Sequence, residues 1–254
     1  MHHLIAGEFR KLLTTRLWLW LLLASMALTA LYAGLLIAFS DDADTWTPPL
    51  STAAGQQTLF AVAAGGANTL VAVLGAIAIT GEFRHKTATA TFLATPHRGR
   101  IVAAKLVTYG LTGAGYALTC LFVVAAIAVP WLAAKGISVP LTGNGLPATM
   151  LGVVADVTVF ALIGVGAGAL VRNQVAAVVA LLVYRFVAEP VLTGVPALAD
   201  WTMYLPGSAS ASLTRISLTT QHFLDPWQGG LVLTGYGIAF ALAGTLTSIR
   251  RDIT

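Results

Sequence analysis

The sequence predicts an all-α integral membrane protein that crosses a bilayer several times. The chain has 254 residues, of which 57% are apolar and only 9% are charged. A soluble domain carries about 25% charged residues, so this composition leaves too little polar surface to face water. The apolar residues also form long continuous runs, which are typical of transmembrane helices and not of the short alternating segments of a β-barrel.

Six apolar runs have about the length that a transmembrane helix needs, roughly 20 residues. They cover residues 17–39, 59–80, 106–129, 149–171, 174–191 and 229–249. We find no internal repeat, low-complexity tract or shift in composition that divides the chain. The sequence therefore predicts a single transmembrane domain over residues 1–254 with six transmembrane helices.

The distribution of basic residues predicts the orientation of these spans. If the spans alternate in direction, eleven of the 14 basic residues fall on one side of the membrane: Arg10, Lys11, Arg16, Arg84, Lys86, Arg98, Arg100, Lys105, Arg172, Arg250 and Arg251. Basic loops stay in the cytoplasm. We therefore expect a multi-pass protein of a bacterial inner membrane, with both termini cytoplasmic. The net charge of +4 is explained by this rule, and nucleic acid is not an expected partner.

The segment before the first span, LIAGEFRKLLTTR, has the spacing of an amphipathic helix. The apolar residues that recur at helical intervals are Leu4, Ile5, Phe9, Leu12 and Leu13. The charged and hydroxyl residues between them are Glu8, Arg10, Lys11 and Thr15. Such a helix lies in the membrane interface. Two roles fit it equally, a plain basic anchor and a helix that contacts a partner.

The loop after the second span, GEFRHKTATATFLATPHRGRIVAAK, predicts a cytoplasmic helical hairpin. Residues 81–94 suit a short helix, and Pro96 ends it because the residue before a proline avoids the α region. A second helix then begins near Pro96, since proline is tolerated in a first turn. The loop is either a positively charged anchor or a docking element for a soluble partner.

Three charges lie within the predicted spans, where each costs about 2.5–3.5 kcal/mol at a helix centre. Asp156 in the fourth span and Arg185 in the fifth have similar predicted depths, and Arg185 and Glu189 are one helical turn apart. We expect Asp156, Arg185 and Glu189 to form a cluster that faces protein or a wet cavity, with either a structural or a substrate-related role. In the external segment 192–228, we expect short interfacial or re-entrant helices.

The sequence lacks the usual signatures of an enzyme. It contains no P-loop, no H-E-x-x-H motif and no Cys/His cluster, so no metal site is expected. The pattern of Gly164, Gly166 and Gly168 matches a loose dinucleotide motif, but it lies in an apolar span with no strand before it. We interpret Gly164 and Gly168 as a face of small residues for close helix packing.

The chain resembles the membrane (permease) subunits of type-2 ATP-binding-cassette (ABC) exporters, of the small six-span kind common in actinobacteria. The resemblance covers nearly the whole chain. Five segments carry it in order: the opening GEFRKLLTTRLWLW, the loop GEFRHKTATATFLATPHRGRIVAAK, then VRNQVAA, FVAEP and YLPGSAS. Together they indicate the family, whereas none of them indicates a substrate.

The resemblance implies a coupling helix between spans 2 and 3, seated in a cleft of a cytoplasmic ABC ATPase subunit. The matching positions are Glu82, Arg84, Thr87, Thr95, Pro96 and Arg98. It also implies that ATP and Mg²⁺ bind the partner ATPase and that this chain holds no cofactor. A second permease chain, identical or paired, would complete the transporter, with short helices after span 5 as an external gate. The expected activity is outward movement of an amphipathic or lipophilic substrate such as a drug, peptide or lipid.

Two other functions remain open at the level of sequence. An ion-coupled secondary transporter or channel would use Asp156, Arg185 and Glu189 as a relay, although the chain shows no inverted repeat. A membrane anchor or immunity-type protein would need no transport.

Overall fold

The computed structural model describes residues 2–40, 48–84, 98–171, 173–216 and 223–250. Within these ranges the regular structure is helical. The helices are α1 His2–Thr14, α2 Leu17–Ala38, α3 Ala53–Arg84, α4 Arg98–Ala134, α5 Leu146–Val171, α6 Gln174–Val183, α7 Glu189–Thr193, α8 Ala199–Thr202, α9 Pro206–Leu213 and α10 Pro226–Arg250, with a π-helix at Tyr184–Ala188 and a 3-10 helix at Pro196–Leu198.

Five helical stretches in the described residues are long and apolar enough to cross a membrane. They are Leu17–Ala38, Ala53–Glu82, Gly99–Ala134, Leu146–Val171 and Gln174–Thr193. The last of these joins α6, the π-helix and α7 into one continuous element. These five helices make the chain a membrane-embedded protein, because a soluble fold would have to hide all of them in one core.

Helices α3 and α5 form the centre of the bundle and pack against each other along most of their length. Glycines make this close approach possible. A Cβ atom at Gly164 would overlap the backbone of Ala72, and one at Gly168 would overlap the backbone of Ala76. The predicted small-residue face at Gly164 and Gly168 is therefore confirmed, and it lets two membrane helices gain van der Waals contact.

The remaining long helices surround this central pair. Helix α2 packs on α3 and α4, and α10 packs on α5 and α9. The continuous stretch Gln174–Thr193, which we call the α6 element, is the most peripheral, since only 11% of its most apolar part is buried, against 67% for that of α3. Because α2, α4 and the α6 element each leave large apolar side chains exposed, such as Trp20, Phe122 and Phe186, this surface suits lipid.

The sixth predicted span, 229–249, lies within α10, which is not among the five helices found long and apolar enough in the described residues. Side chains of this helix are described only up to residue 244. The predicted hairpin between spans 2 and 3 falls mostly on residues 85–97, outside the described ranges. Its two flanks are described, because α3 continues to Arg84 and α4 begins at Arg98.

Candidate functional site

The most highly charged site joins α1 to the ends of α3 and α4, on either side of residues 85–97. Four side chains meet there: Glu8 and Lys11 from α1, Glu82 from α3 and Lys105 from α4. We call this set the four-charge cluster. Lys105 Nζ lies 2.5 Å from Glu8 Oε2 and 3.1 Å from Glu82 Oε1. Lys11 Nζ lies 2.7 Å from Glu8 Oε1 and 2.9 Å from Glu82 Oε1.

Two members of the four-charge cluster are almost fully buried. Glu8 is 5% exposed and Lys105 is 3% exposed. A charge with so little solvent needs partners, and here each carboxylate accepts from two ammonium groups. The cluster therefore fixes α1 against the two helix ends by satisfied charge pairs and not only by apolar contact.

Burial and charge act in opposite directions on the cluster members of α1. Burial opposes ionisation of Glu8, but the ammonium groups of Lys105 and Lys11 outweigh it and hold the pKa of Glu8 below its usual range. Burial likewise opposes the charge on Lys11, but hydrogen bonds to Glu8 and Glu82 raise its pKa. Both groups are therefore charged at neutral pH.

A cavity of about 490 Å³ lies beside the four-charge cluster. Its walls include all four charged residues together with apolar and polar residues of α1, the turn after it, α2, α3, α4 and α6: Leu12, Thr15, Leu17, Leu74, Ile77, Ala78, Gly81, Tyr109 and Gln174. The charged lining carries two acids and two bases, so it offers no net charge to a ligand. This balance favours a structural role for the cavity wall, that of holding the helix ends.

The predicted intramembrane charges have different hydrogen-bond partners. Asp156 is completely buried, and Asn68 Nδ2 donates to its Oδ2 at 3.4 Å. Ser210 of α9 lies close to the same carboxylate. The other oxygen, Asp156 Oδ1, is buried without a hydrogen-bond partner. Such an unpaired oxygen is costly in an apolar interior, which makes this carboxyl a second candidate for a functional group.

Arg185 and Glu189 pair with each other at the π-helix. Arg185 NH1 lies 3.4 Å from Glu189 Oε2, one turn away on the same element. Glu189 is 3% exposed, and its Oε1 accepts from the backbone N–H of Gly207 at 2.5 Å. Glu189 thereby holds the start of α9 against the α6 element. A single-turn π-helix often marks a functional position in a helix.

The structure thus brings two of the three predicted intramembrane residues into contact. Arg185 and Glu189 form an ion pair, whereas Asp156 has Asn68 as its hydrogen-bond partner. Arg185 is nevertheless near enough to interact electrostatically with Asp156. All of these residues are described, and no ion pair joins Asp156 to Arg185.

The predicted coupling residues are placed unevenly. Glu82 belongs to the four-charge cluster. Arg84 ends α3 and Arg98 begins α4, and only their backbone is described. Thr87, Thr95 and Pro96 lie outside the described residues.

Sequence reasoning missed the importance of Glu8 and Lys105. Glu8 was placed on the polar face of α1, but Leu4, Glu8 and Leu12 are spaced by four residues and share one helix face. Glu8 and Leu12 are the buried residues of α1. Lys105 lies between the apolar residues 101–104 and the predicted span 106–129, and this apolar setting is the signal that the sequence offers.

Comparison with known proteins adds no relative to this picture. No family model matches the chain, and no curated protein sequence matches it either.

Proposed function

We propose that this chain is the permease subunit of an ATP-driven exporter, working with a separate cytoplasmic ABC ATPase and a second permease chain. The proposal rests on the resemblance of the sequence to permease subunits of type-2 ABC exporters and on five apolar helices that are long enough to span a membrane. The observation that carries it is the four-charge cluster, which ties α1 to both helix ends that flank the predicted coupling segment.

The cluster suggests how a partner's motion would reach the membrane helices. An ATPase that moves residues 85–97 would pull on the ends of α3 and α4 at the same time. Because Glu82 and Lys105 are joined to each other and to α1, the three helices would move as one unit. ATP shifts such an equilibrium only if it binds the two states differently, and that differential binding would occur on the partner.

The proposal also assigns roles to α10, to the short helices α8 and α9 and to the exposed apolar helix faces. Six spans, with α10 as the sixth, would return the C terminus to the cytoplasmic side. The short helices α8 and α9 would form the external gate. The exposed apolar faces of α2, α4 and α6 would meet lipid or the second permease chain. The bacterial cell membrane, cytoplasmic termini and outward direction of transport are all parts of this proposal.

The decisive experiment is co-purification. The tagged chain is expressed from its native operon, solubilised gently and assayed for an associated ATPase. We expect ATPase activity to co-purify, and Arg84→Glu or Pro96→Gly to reduce it because both residues are predicted coupling positions. Arg16→Glu is the matched control, since Arg16 is basic and exposed but is not one of those positions. If no ATPase co-purifies under any gentle condition, the proposal is wrong.

One observation favours a second candidate, an ion-coupled transporter. Asp156 is completely buried and has an unpaired carboxyl oxygen beside Asn68, as a proton-carrying group would. In proteoliposomes without any ATPase, such a transporter would move substrate when a proton gradient is imposed, and Asp156→Asn would abolish that movement. The exporter proposal expects no gradient-driven movement in the same vesicles.

A further inference from the structure

A second cavity lies among α3, α5, α6, α9 and α10, away from the four-charge cluster. Its volume is about 420 Å³, and its walls are mostly apolar, with Ala72, Phe160, Leu181 and Phe240 among them. Arg185 is 11 residues from the start of the α6 element, so it lies about 16 Å along that helix. In an α6 element that spans the bilayer, this position is near the middle of the roughly 30 Å hydrocarbon core.

The polar side chains that line this cavity are Arg185, Thr69, Tyr184 and Tyr236. All four can donate hydrogen bonds, and the three hydroxyls can also accept them. Arg185 alone is charged among the described lining residues. Its guanidinium has five N–H donors, pairs with Glu189 at 3.4 Å and interacts electrostatically with Asp156. The hydroxyl of Tyr184, on the neighbouring lining residue, is buried without a hydrogen-bond partner. Glu189 itself is turned towards the N–H of Gly207 and does not line the cavity.

The Tyr184 hydroxyl is thus buried and unpaired, and the side chain of Arg185 beside it is 32% exposed. A buried donor without an acceptor is costly, and an acceptor supplied by a ligand would remove that cost. A carboxylate is the best match, because it accepts from a guanidinium and from a hydroxyl at once. The apolar walls would bury the rest of the same molecule.

We propose that this cavity binds an amphipathic molecule with one carboxylate and one apolar body, the acid group at Arg185 and Tyr184. The inference rests on the proposed exporter function, for which it names the substrate class. A volume of about 420 Å³ is in the lower part of the roughly 300–1,000 Å³ range of small-molecule sites. It is too small to enclose a two-chain phospholipid. Ala180 is exposed at the cavity wall, so the ligand would enter from the side of the α6 element.

Equilibrium binding to the purified full chain tests this proposal. The chain is placed in phosphatidylcholine nanodiscs and titrated with dansyl-undecanoic acid and with its methyl ester, with empty nanodiscs subtracted. We expect the acid to bind about tenfold more tightly than the ester, since only the acid forms charge-assisted hydrogen bonds. Arg185→Gln removes this difference, while Tyr184→Phe weakens binding of the acid about threefold.

Three further variants control for folding and charge. Arg185→Lys keeps the charge and retains most of the preference for the acid. Arg16→Gln removes an exposed arginine outside the cavity and leaves both probes unaffected. Ala180→Phe narrows the mouth and weakens both probes alike, which keeps the test informative even where Arg185→Gln does not fold. Equal binding of acid and ester to the native chain would overturn the proposal, as would unchanged acid binding by folded Arg185→Gln.

This binding test is independent of the proposed exporter function. No ATPase is present in the nanodisc, and co-purification of an ATPase does not use the cavity. A chain that recruits an ATPase but shows no preference for the acid would keep the exporter proposal and lose this one. A chain that prefers the acid but recruits no ATPase would keep the site and lose the exporter proposal.

Discussion

Lys105 shows how much a single residue contributes to the fold at the α1 side of the bundle. Its ammonium group is 3% exposed and lies between the carboxylates of Glu8 and Glu82. Moving an ion out of water costs several kcal/mol, and only close partners and hydrogen bonds offset that cost. The same arrangement means that removing one partner is far worse than removing the whole set.

Replacement of Lys105 by methionine should therefore destabilise the chain by about 3–5 kcal/mol, because Glu8 and Glu82 would keep only Lys11 between them. Thermal unfolding in detergent measures the effect. The matched control is Lys11→Met, since the side chain of Lys11 is 51% exposed and its loss should cost about 1 kcal/mol or less. The double variant Glu8→Gln with Lys105→Met should cost clearly less than the sum of its single changes. Additive costs would show that the two residues do not interact.

Gly164 is the second residue whose identity the packing requires. A Cβ atom there would overlap the Ala72 backbone, so Gly164→Ala forces α3 and α5 apart and should cost about 1–3 kcal/mol. Gly115 in α4 is the control, because a Cβ atom there meets nothing within 4 Å. Gly115→Ala should stabilise the helix by up to about 1 kcal/mol. Equal unfolding temperatures for the two variants would contradict the packing described here.

At the scale of elements, α1 is held by charge pairs as well as by apolar packing. Apolar contact comes from Leu12, which is buried, and from Phe9, which packs against the core. The charge pairs come from Glu8 and Lys11. Since charge pairs respond to pH and apolar contact does not, the docking of α1 should have a defined pH window.

The window follows from the direction of the two pKa shifts. The pKa of Glu8 is lowered in the folded chain. The stabilisation of docked α1 by Glu8 is therefore complete above the unfolded-state pKa of about 4.3, and it is lost as pH falls through the folded-state pKa. The pKa of Lys11 is raised. The stabilisation of docked α1 by Lys11 is therefore complete below the unfolded-state pKa of about 10.4, and it is lost as pH rises through the higher folded-state pKa. We expect α1 to stay docked between about pH 5 and pH 10.

Amide hydrogen exchange over residues 2–14, corrected for intrinsic rates, measures this docking. Protection should fall below about pH 4 in the native chain. The variant Glu8→Gln removes the titrating group, so it should show no such acid step. Amides of α5 serve as the internal control, because that helix is central in the bundle. An acid step in Glu8→Gln at the same pH as in the native chain would show that Glu8 is not the group responsible.

Much of each helix follows from the sequence, and much of the site does not. The apolar runs locate the helices to within several residues, because apolar length decides what lies in a bilayer. By contrast, Glu8 and Lys105 are 97 residues apart, and no local pattern pairs them. Residue spacing predicts similar depths in the bilayer for Asp156 and Arg185, but depth does not determine how a helix is rotated about its axis. Helix α6, which leads to Arg185, packs more on α3 than on α5. Asp156 of α5 accepts its hydrogen bond from Asn68 of α3.

At the scale of the whole molecule, the number of spans decides where the two termini lie. With α10 as a sixth span, the N and C termini share one side of the membrane. With α10 lying outside the bilayer, five spans place them on opposite sides. Cysteine labelling can distinguish the two arrangements, because the single cysteine of the chain, Cys120, is completely buried. An impermeant thiol reagent should therefore leave the native chain unlabelled.

Single added cysteines then report each side. Ala6 lies on α1, whereas Ser138 and Ala199 follow α4 and α7, and all three are exposed. In intact cells, an impermeant maleimide should label Ser138→Cys and Ala199→Cys but not Ala6→Cys if the proposed orientation, which follows from the basic residues, is right. A cysteine added after Thr254 should label only after permeabilisation, like Ala6→Cys. Labelling of that terminal cysteine in intact cells, with Ala6→Cys still protected, would establish five spans and remove α10 from the bilayer.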